Sequence, residues 1–246
     1  MWNAFVNALI ESLRLINGVF GSYGIAIIIL TALVRLLTMP LTLQQLRSSK
    51  AMQDLQPQLM ALQKKYAKDK EKLAREQMKL YREAGVNPAA GCLPMLIQLP
   101  IWVALFQALR TMAQAGILQE GFLWIPSLAE PNGLAWLWPP SNWEWPAMPA
   151  YLILPLLTMA SQFVVQKMIS PPTPSRDPQQ AAMSEMMILM PLMMGFFAVQ
   201  VPSGLSLYWV TSNIFSIIQQ YLVSGWGGLL PRKKREGEKR RGKGKR

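Results

Sequence analysis

Five stretches of this 246-residue chain are each apolar enough, over about 20 residues, to cross a bilayer: residues 22–43, 87–112, 149–169, 183–201 and 205–224. They come as blocks rather than at the spacing of surface helices or strands, and 51% of the chain is hydrophobic. In hydrocarbon a backbone must satisfy its own hydrogen bonds, so such blocks fold as helices. The reading is an all-α polytopic membrane protein with five transmembrane helices. Only Pro202, Ser203 and Gly204 separate the last two blocks, which makes them a tight helical hairpin.

Charge fixes the expected orientation. Residues 44–86 hold ten basic side chains against five acidic ones, and the tail, residues 231–246, holds ten against two. The segment 113–148 carries only Glu120, Glu130 and Glu144. The positive-inside rule places 44–86, the loop 170–182 and the tail in the cytoplasm, with the N-terminus and the Trp/Pro-rich segment 113–148 outside. Within 44–86, Leu55, Leu59, Leu62 and Tyr66 recur at helical spacing, and Leu73, Leu80 and Tyr81 can face them across a turn at 67–70. This is a cytoplasmic helical hairpin, with Pro57 expected to kink its first arm. In residues 1–21, Phe5, Leu9, Leu13, Ile16 and Phe20 share one face, as in an amphipathic helix lying in the outer interface. Trp124, Trp136, Trp138, Trp143 and Trp145 read as an outer aromatic belt.

Several chemistries are excluded. The single cysteine, Cys92, allows no intramolecular disulfide and reads as a small packing residue, and the absence of histidine removes His-based metal sites. No nucleophile and base pair, phosphate loop or metal cluster is evident, so a non-enzymatic protein without a cofactor is expected. No cleavable leader is evident at the N-terminus.

The apolar blocks are not uniformly apolar. Arg35 stands in the run IAIIILTALVRLL, where a guanidinium costs roughly 2.5–3.5 kcal/mol at a helix centre and needs water, a partner or an escape route. Two readings stand: a functional cation in a polar interior, or an arginine snorkelling toward the level of Thr42, about 10 Å along the helix. Thr31, Arg35, Thr38 and Thr42 form one polar stripe, Thr158, Gln162 and Gln166 a second, and Trp209, Asn213, Ser216 and Gln220 a third, flanked by Ser212 and Gln219. Interhelical hydrogen bonding alone would account for serines and threonines. Amides and an arginine with no carboxylate at matching depth favour a hydrated cavity, because Glu185, at the start of the fourth block, is the one acidic residue near the spans. That block instead carries Met183, Met186, Met187, Met190, Met193 and Met194, a polarizable surface suited to varied apolar contacts or to core filling.

Residues 87–109, NPAAGCLPMLIQLPIWVALFQAL, resemble the entry to the second core span of the YidC family of membrane protein insertases, which includes mitochondrial oxidase-assembly and chloroplast albino-type relatives. VRLLTMPLTLQQLRSSKAMQDLQPQL resembles the family's arginine-bearing first span and the helix after it, LPLLTMASQFVVQKM the third span, and PSGLSLYWVTSNIFSIIQQYL the last. The resemblance implies a five-helix core around a groove open to cytoplasm and lipid but closed outside. It puts the groove arginine on Arg35, a polar neighbour on Thr31, the last-span aromatic on Trp209 and the third-span amide on Gln162, with Gln166 as the alternative. Asn213 is expected to face the same groove. The second and fourth spans become an apolar slide for client helices, with Met187, Met190 and Met194 on it. Neither the large outer β-rich domain nor the lipoprotein start seen in branches of the family is expected from these residues. The implied function is insertion of nascent membrane proteins into a bacterial plasma membrane, with the ribosome, a Sec-type translocon and the lipid bilayer as partners. A basic tail holds either ribosomal RNA or anionic lipid. The competing function is a membrane channel or transporter, although no internal repeat is found.

Overall fold

The computed structural model describes residues 1–86, 93–131, 133, 134, 136, 147–169 and 189–229. Cys92, Glu185, Met187, Trp138, Trp143, Trp145, the loop 170–182 and the tail 231–246 lie outside the described residues. The described part is all-helical, with an isolated Phe122–Ile125 bridge as its sole extended pairing.

Helix α1, Trp2–Phe20, ends at Gly21, whose φ of 69° is a left-handed cap that glycine adopts without strain; its N–H closes on the Asn17 carbonyl at 2.7 Å. The helix packs against α2 and α5 through Val6, Leu9, Ile10 and Leu13, spaced i, i+3, i+4, i+7. This corrects the expected face. Leu9 and Leu13 are inside, but Phe5 and Phe20 are 42% and 55% exposed, because the buried stripe is turned toward two helices rather than toward a single surface.

Helix α2, Tyr23–Leu37, stops short of the 22–43 block. Pro40 has no N–H to give the Leu36 carbonyl, and Thr38 instead ends the helix, its hydroxyl bonding Val34 O at 2.9 Å. Helix α3, Met39–Lys65, then leaves at a bend of 65°. The polar stripe of the first block is therefore divided, with Thr31 and Arg35 on α2, Thr38 at the corner and Thr42 on α3. Helix α4, Lys70–Glu83, completes the hairpin, with Asp69 capping its first turn by accepting from Lys72 N at 2.9 Å.

Helices α5 (Leu93–Gln114), α6 (Ala147–Ile169) and α8 (Ser203–Ser224) supply most of the remaining bundle, with α7, described over Leu189–Ala198, turning through four residues into α8. Among the described residues, Met148–Ile169 is long and apolar enough to cross a membrane by itself, and α2 with α3 qualifies as one bent pair. Helix α8 has the length, 22 residues, but its polar face dilutes its hydropathy.

The two ends of the bundle are built differently. At the end where α2 and α8 begin, Leu118, Ile125 and Leu128 are buried in the main apolar cluster. Glu120 accepts the Tyr23 N–H, a carboxylate on the positive end of α2. The carbonyls of Glu130 and Leu128 receive the N–H groups of Ser203 and Gly204, both at 3.0 Å, and the Trp136 indole donates to Val199 O at 3.2 Å. Phe122 lies so close over Gly24 that a Cβ there would overlap its ring. At the other end the hairpin is attached by side chains: Lys50 Nζ bonds Val223 O at 3.0 Å and Gln53 Nε2 bonds Ile169 O, occupying carbonyls at the ends of α8 and α6.

Candidate functional site

Arg35 stands where α2 changes character. Gly24, Ala26, Ile27, Leu30 and Thr31 are buried, whereas Leu33, Leu36 and Leu37 are exposed, Leu37 by 80%. The guanidinium crosses to α8, its Nε donating to Ser212 Oγ at 3.0 Å and a second nitrogen to the same oxygen. No carboxylate forms an ion pair with it among the described residues. Snorkelling along its own helix is thus not the conformation adopted; a neutral hydroxyl on a neighbouring helix holds the charge.

Helix α8 organises the rest of the site because its polar residues occupy a broad inner face. One turn before Ser212, Tyr208 is 3% exposed and its hydroxyl accepts from Gln98 Nε2 of α5 at 2.8 Å. One residue after Ser212, Asn213 Nδ2 donates to Ser161 Oγ of α6 at 3.0 Å, and Ser161 Oγ donates to Thr158 O at 3.1 Å. Trp209 lies toward the end where α8 begins, stacked on Trp102 of α5 with centroids 6.2 Å apart and 20° between planes, and tilted against Phe197 of α7 at 5.9 Å. The aromatic level thus floors the polar level.

Of the five groove residues expected, Arg35 and Asn213 make interhelical polar contacts through α8. Trp209 belongs to the aromatic floor. Thr31 turns its hydroxyl onto Ile27 O at 2.6 Å in its own helix and is 2% exposed. Gln162 is half-buried on α6 and makes no hydrogen bond to a described residue; Gln166 is half-buried one turn on. Gln98, Tyr208, Ser161 and Trp102 were not singled out. A glutamine in the second turn of α5 and a tyrosine one turn from Ser212 were visible signals, but their pairing spans 110 residues of sequence.

On α7, Met190 and Met193 are exposed beside Leu189, Leu192 and Phe196. Met194, expected on the same apolar slide, instead packs against the buried cluster. Gly195 allows this, as a Cβ there would come within 3.0 Å of Met159 of α6, so the two helices close together at that level. Among the described residues no group of three or more His, Cys, Asp or Glu converges as a metal site.

Residues 15–227 match the family described as 60Kd inner membrane protein. The chain is 44% identical over 223 residues to the inner membrane protein PPF-1 of Pisum sativum chloroplasts, covering 85% of this chain and 50% of that one. It is 39% identical over 232 residues to the membrane protein insertase YidC 2 of Bacillus anthracis, covering 92% and 82%. It thus spans about half the length of the plant relatives it matches. A crystal structure of an active YidC insertase with its first transmembrane domain resolved superposes with a TM-score of 0.65 at 30% identity, over 90% of this chain and 46% of that one. With the match running through both the Arg35–Ser212 contact and the aromatic floor, the chain belongs to the 60Kd inner membrane protein family of YidC and Alb3 membrane proteins.

Proposed function

We propose that this protein is a non-enzymatic membrane protein insertase that moves the short outer segment of a nascent chain through a hydrophilic groove and releases its helix into lipid. Arg35 carries the reading. A cation neutralised by a carboxylate is a structural pin, whereas one held by a serine hydroxyl keeps its field for an incoming acidic segment. Further support comes from Gln219 Oε1, both amide atoms of Gln220 and Thr158 Oγ1, all buried without a protein partner, as suits an interior that takes water or a client's polar backbone. Relatives named membrane protein insertases support the same function.

In this reading the helices form a five-span bundle in a bacterial plasma membrane, the N-terminus and closed end outside, the hairpin and C-terminus cytoplasmic. Arg35, with Asn213 and Gln162 nearest the polar level, loads the client segment; Thr31 and Trp209 line its closed limit. The client helix slides along the exposed apolar side of α7, of which Met187 is the expected continuation, and is driven by burial worth about 25 cal/mol per Å². The membrane potential adds about 2.3 kcal/mol per 100 mV for each negative charge moved outward. In the same reading the tail engages the ribosome, and a Sec-type translocon is a further partner.

The test is reconstitution of the protein alone in liposomes, scored for insertion of a small client with an acidic outer segment. Insertion that is slowed by Arg35→Ala and largely kept by Arg35→Lys is expected. A client-free, ion-selective current from the same liposomes would instead assign a channel, a function the packed end around Leu118, Ile125 and Leu128 disfavours.

A further inference from the structure

A cavity of about 510 Å³ lies between α1 and α5, away from the Arg35 network. Its floor is apolar, with Val6 and Ile10 buried and Phe106 partly so, and its rim is polar, with Asn7, Gln107 and Arg110 exposed. Gln107 is fixed at the rim by the Trp2 indole, which donates to its Oε1 at 2.7 Å and leaves the amide nitrogen as a donor.

The charges differ on the two helices. Arg14 of α1 is paired with Glu11 at 2.9 Å. Arg110 has no ion-pair partner among the described residues; its guanidinium lies 5.9 Å over the Phe106 ring, a cation–π contact that leaves its N–H edge open. A lone arginine beside amide donors above an apolar floor, on the outside of a membrane protein, meets headgroups with its rim and acyl chains with its floor. The guanidinium fork matches two phosphate oxygens, and amide N–H groups add neutral donors.

We propose that this cavity binds the phosphodiester headgroup of an anionic phospholipid, with Arg110 as the phosphate ligand, Asn7 and Gln107 as supporting donors, and Val6, Ile10 and Phe106 receiving the first acyl carbons. The site tethers α1 to α5 through lipid and does not depend on the insertase reading.

The test is native mass spectrometry of the full chain in mild detergent, titrated with phosphatidylglycerol and, separately, phosphatidylcholine. Phosphatidylglycerol is expected to be retained preferentially, with retention falling roughly tenfold in Arg110→Gln as the charged fork is lost, falling less in Arg110→Lys, and unchanged in Arg14→Gln. Equal retention of phosphatidylglycerol by wild type and Arg110→Gln overturns the proposal, as does equal retention of the two lipids. Displacement of phosphatidylglycerol by inorganic phosphate as readily as by fresh lipid would make the cavity a bare anion site and overturn the lipid assignment.

Discussion

The end of the bundle that carries Glu120 and the end that carries the hairpin use the same helices for opposite purposes. At the first, backbone meets backbone: loop carbonyls take the N–H groups of Ser203 and Gly204, and aromatic rings fill the space between α5, α7 and α8. At the second, long side chains such as Lys50 and Gln53 reach over to helix ends, and Gln56, Gln219 and Gln220 keep buried polar atoms without a protein partner. Backbone pairing with apolar filling gives a rigid seal. Flexible side chains and unmet amides give a region that changes partners at low cost, as the proposed loading of a client segment requires.

The sharpest way to break this contrast is to damage the seal. Gly24→Val forces a branched side chain into the Phe122 ring and should destabilise the protein by about 2–3 kcal/mol, as overpacking does; thermal unfolding in detergent reads it, and an unchanged melting temperature would show that the closed end is loose. Arg35→Ala should do the reverse, lowering insertion of acidic clients roughly tenfold, a barrier of about 1.4 kcal/mol, while leaving the melting temperature near wild type. Equal insertion by a stably folded Arg35→Ala protein would remove the electrostatic loading step. Glu120→Gln takes the carboxylate from the start of α2 and should cost about 1 kcal/mol, again read by melting. Lys50→Ala, at the side-chain-tethered end, should cost only about 0.3–1 kcal/mol. In a Cys92→Ser background, a cysteine replacing half-buried Ser216 should react with a polar thiol reagent, whereas one replacing buried Ser206 should stay protected. Equal protection would extend the seal along the whole of α8.

The sequence made some of this contrast readable and hid the rest. Charge-rich 44–86 announced a hairpin with its turn near 67–70, and the structure ends α3 at Lys65 and starts α4 at Lys70. Arg35 was legible because a permanent charge in an apolar run needs water, a partner or an escape route. Its partner was less so: Ser212 was only a flanking residue of the α8 stripe, since periodicity gives a face but not the neighbour that face meets. The early stop of α2 was hidden because hydropathy continues past Pro40, although the missing N–H that ends the helix was in the sequence. The register of α1 failed for a similar reason. Its apolar residues cover more than one face, and only the positions of α2 and α5 decide which stripe is inside. Glu120 as a helix cap, 97 residues from Tyr23, has no local signal.

The corner at Thr38 makes α3 a lever with a very unequal pair of arms. Its 27 residues extend about 40 Å from the corner, while Arg35 lies only about 4.5 Å along α2 on the other side. For rotation about that corner, a swing of several ångströms at the Lys65 end reduces to less than one at the arginine backbone, well within what the Arg35–Ser212 contact absorbs by side-chain adjustment. A displacement of the far hairpin end about this corner therefore leaves the charge on α2 in register with Ser212.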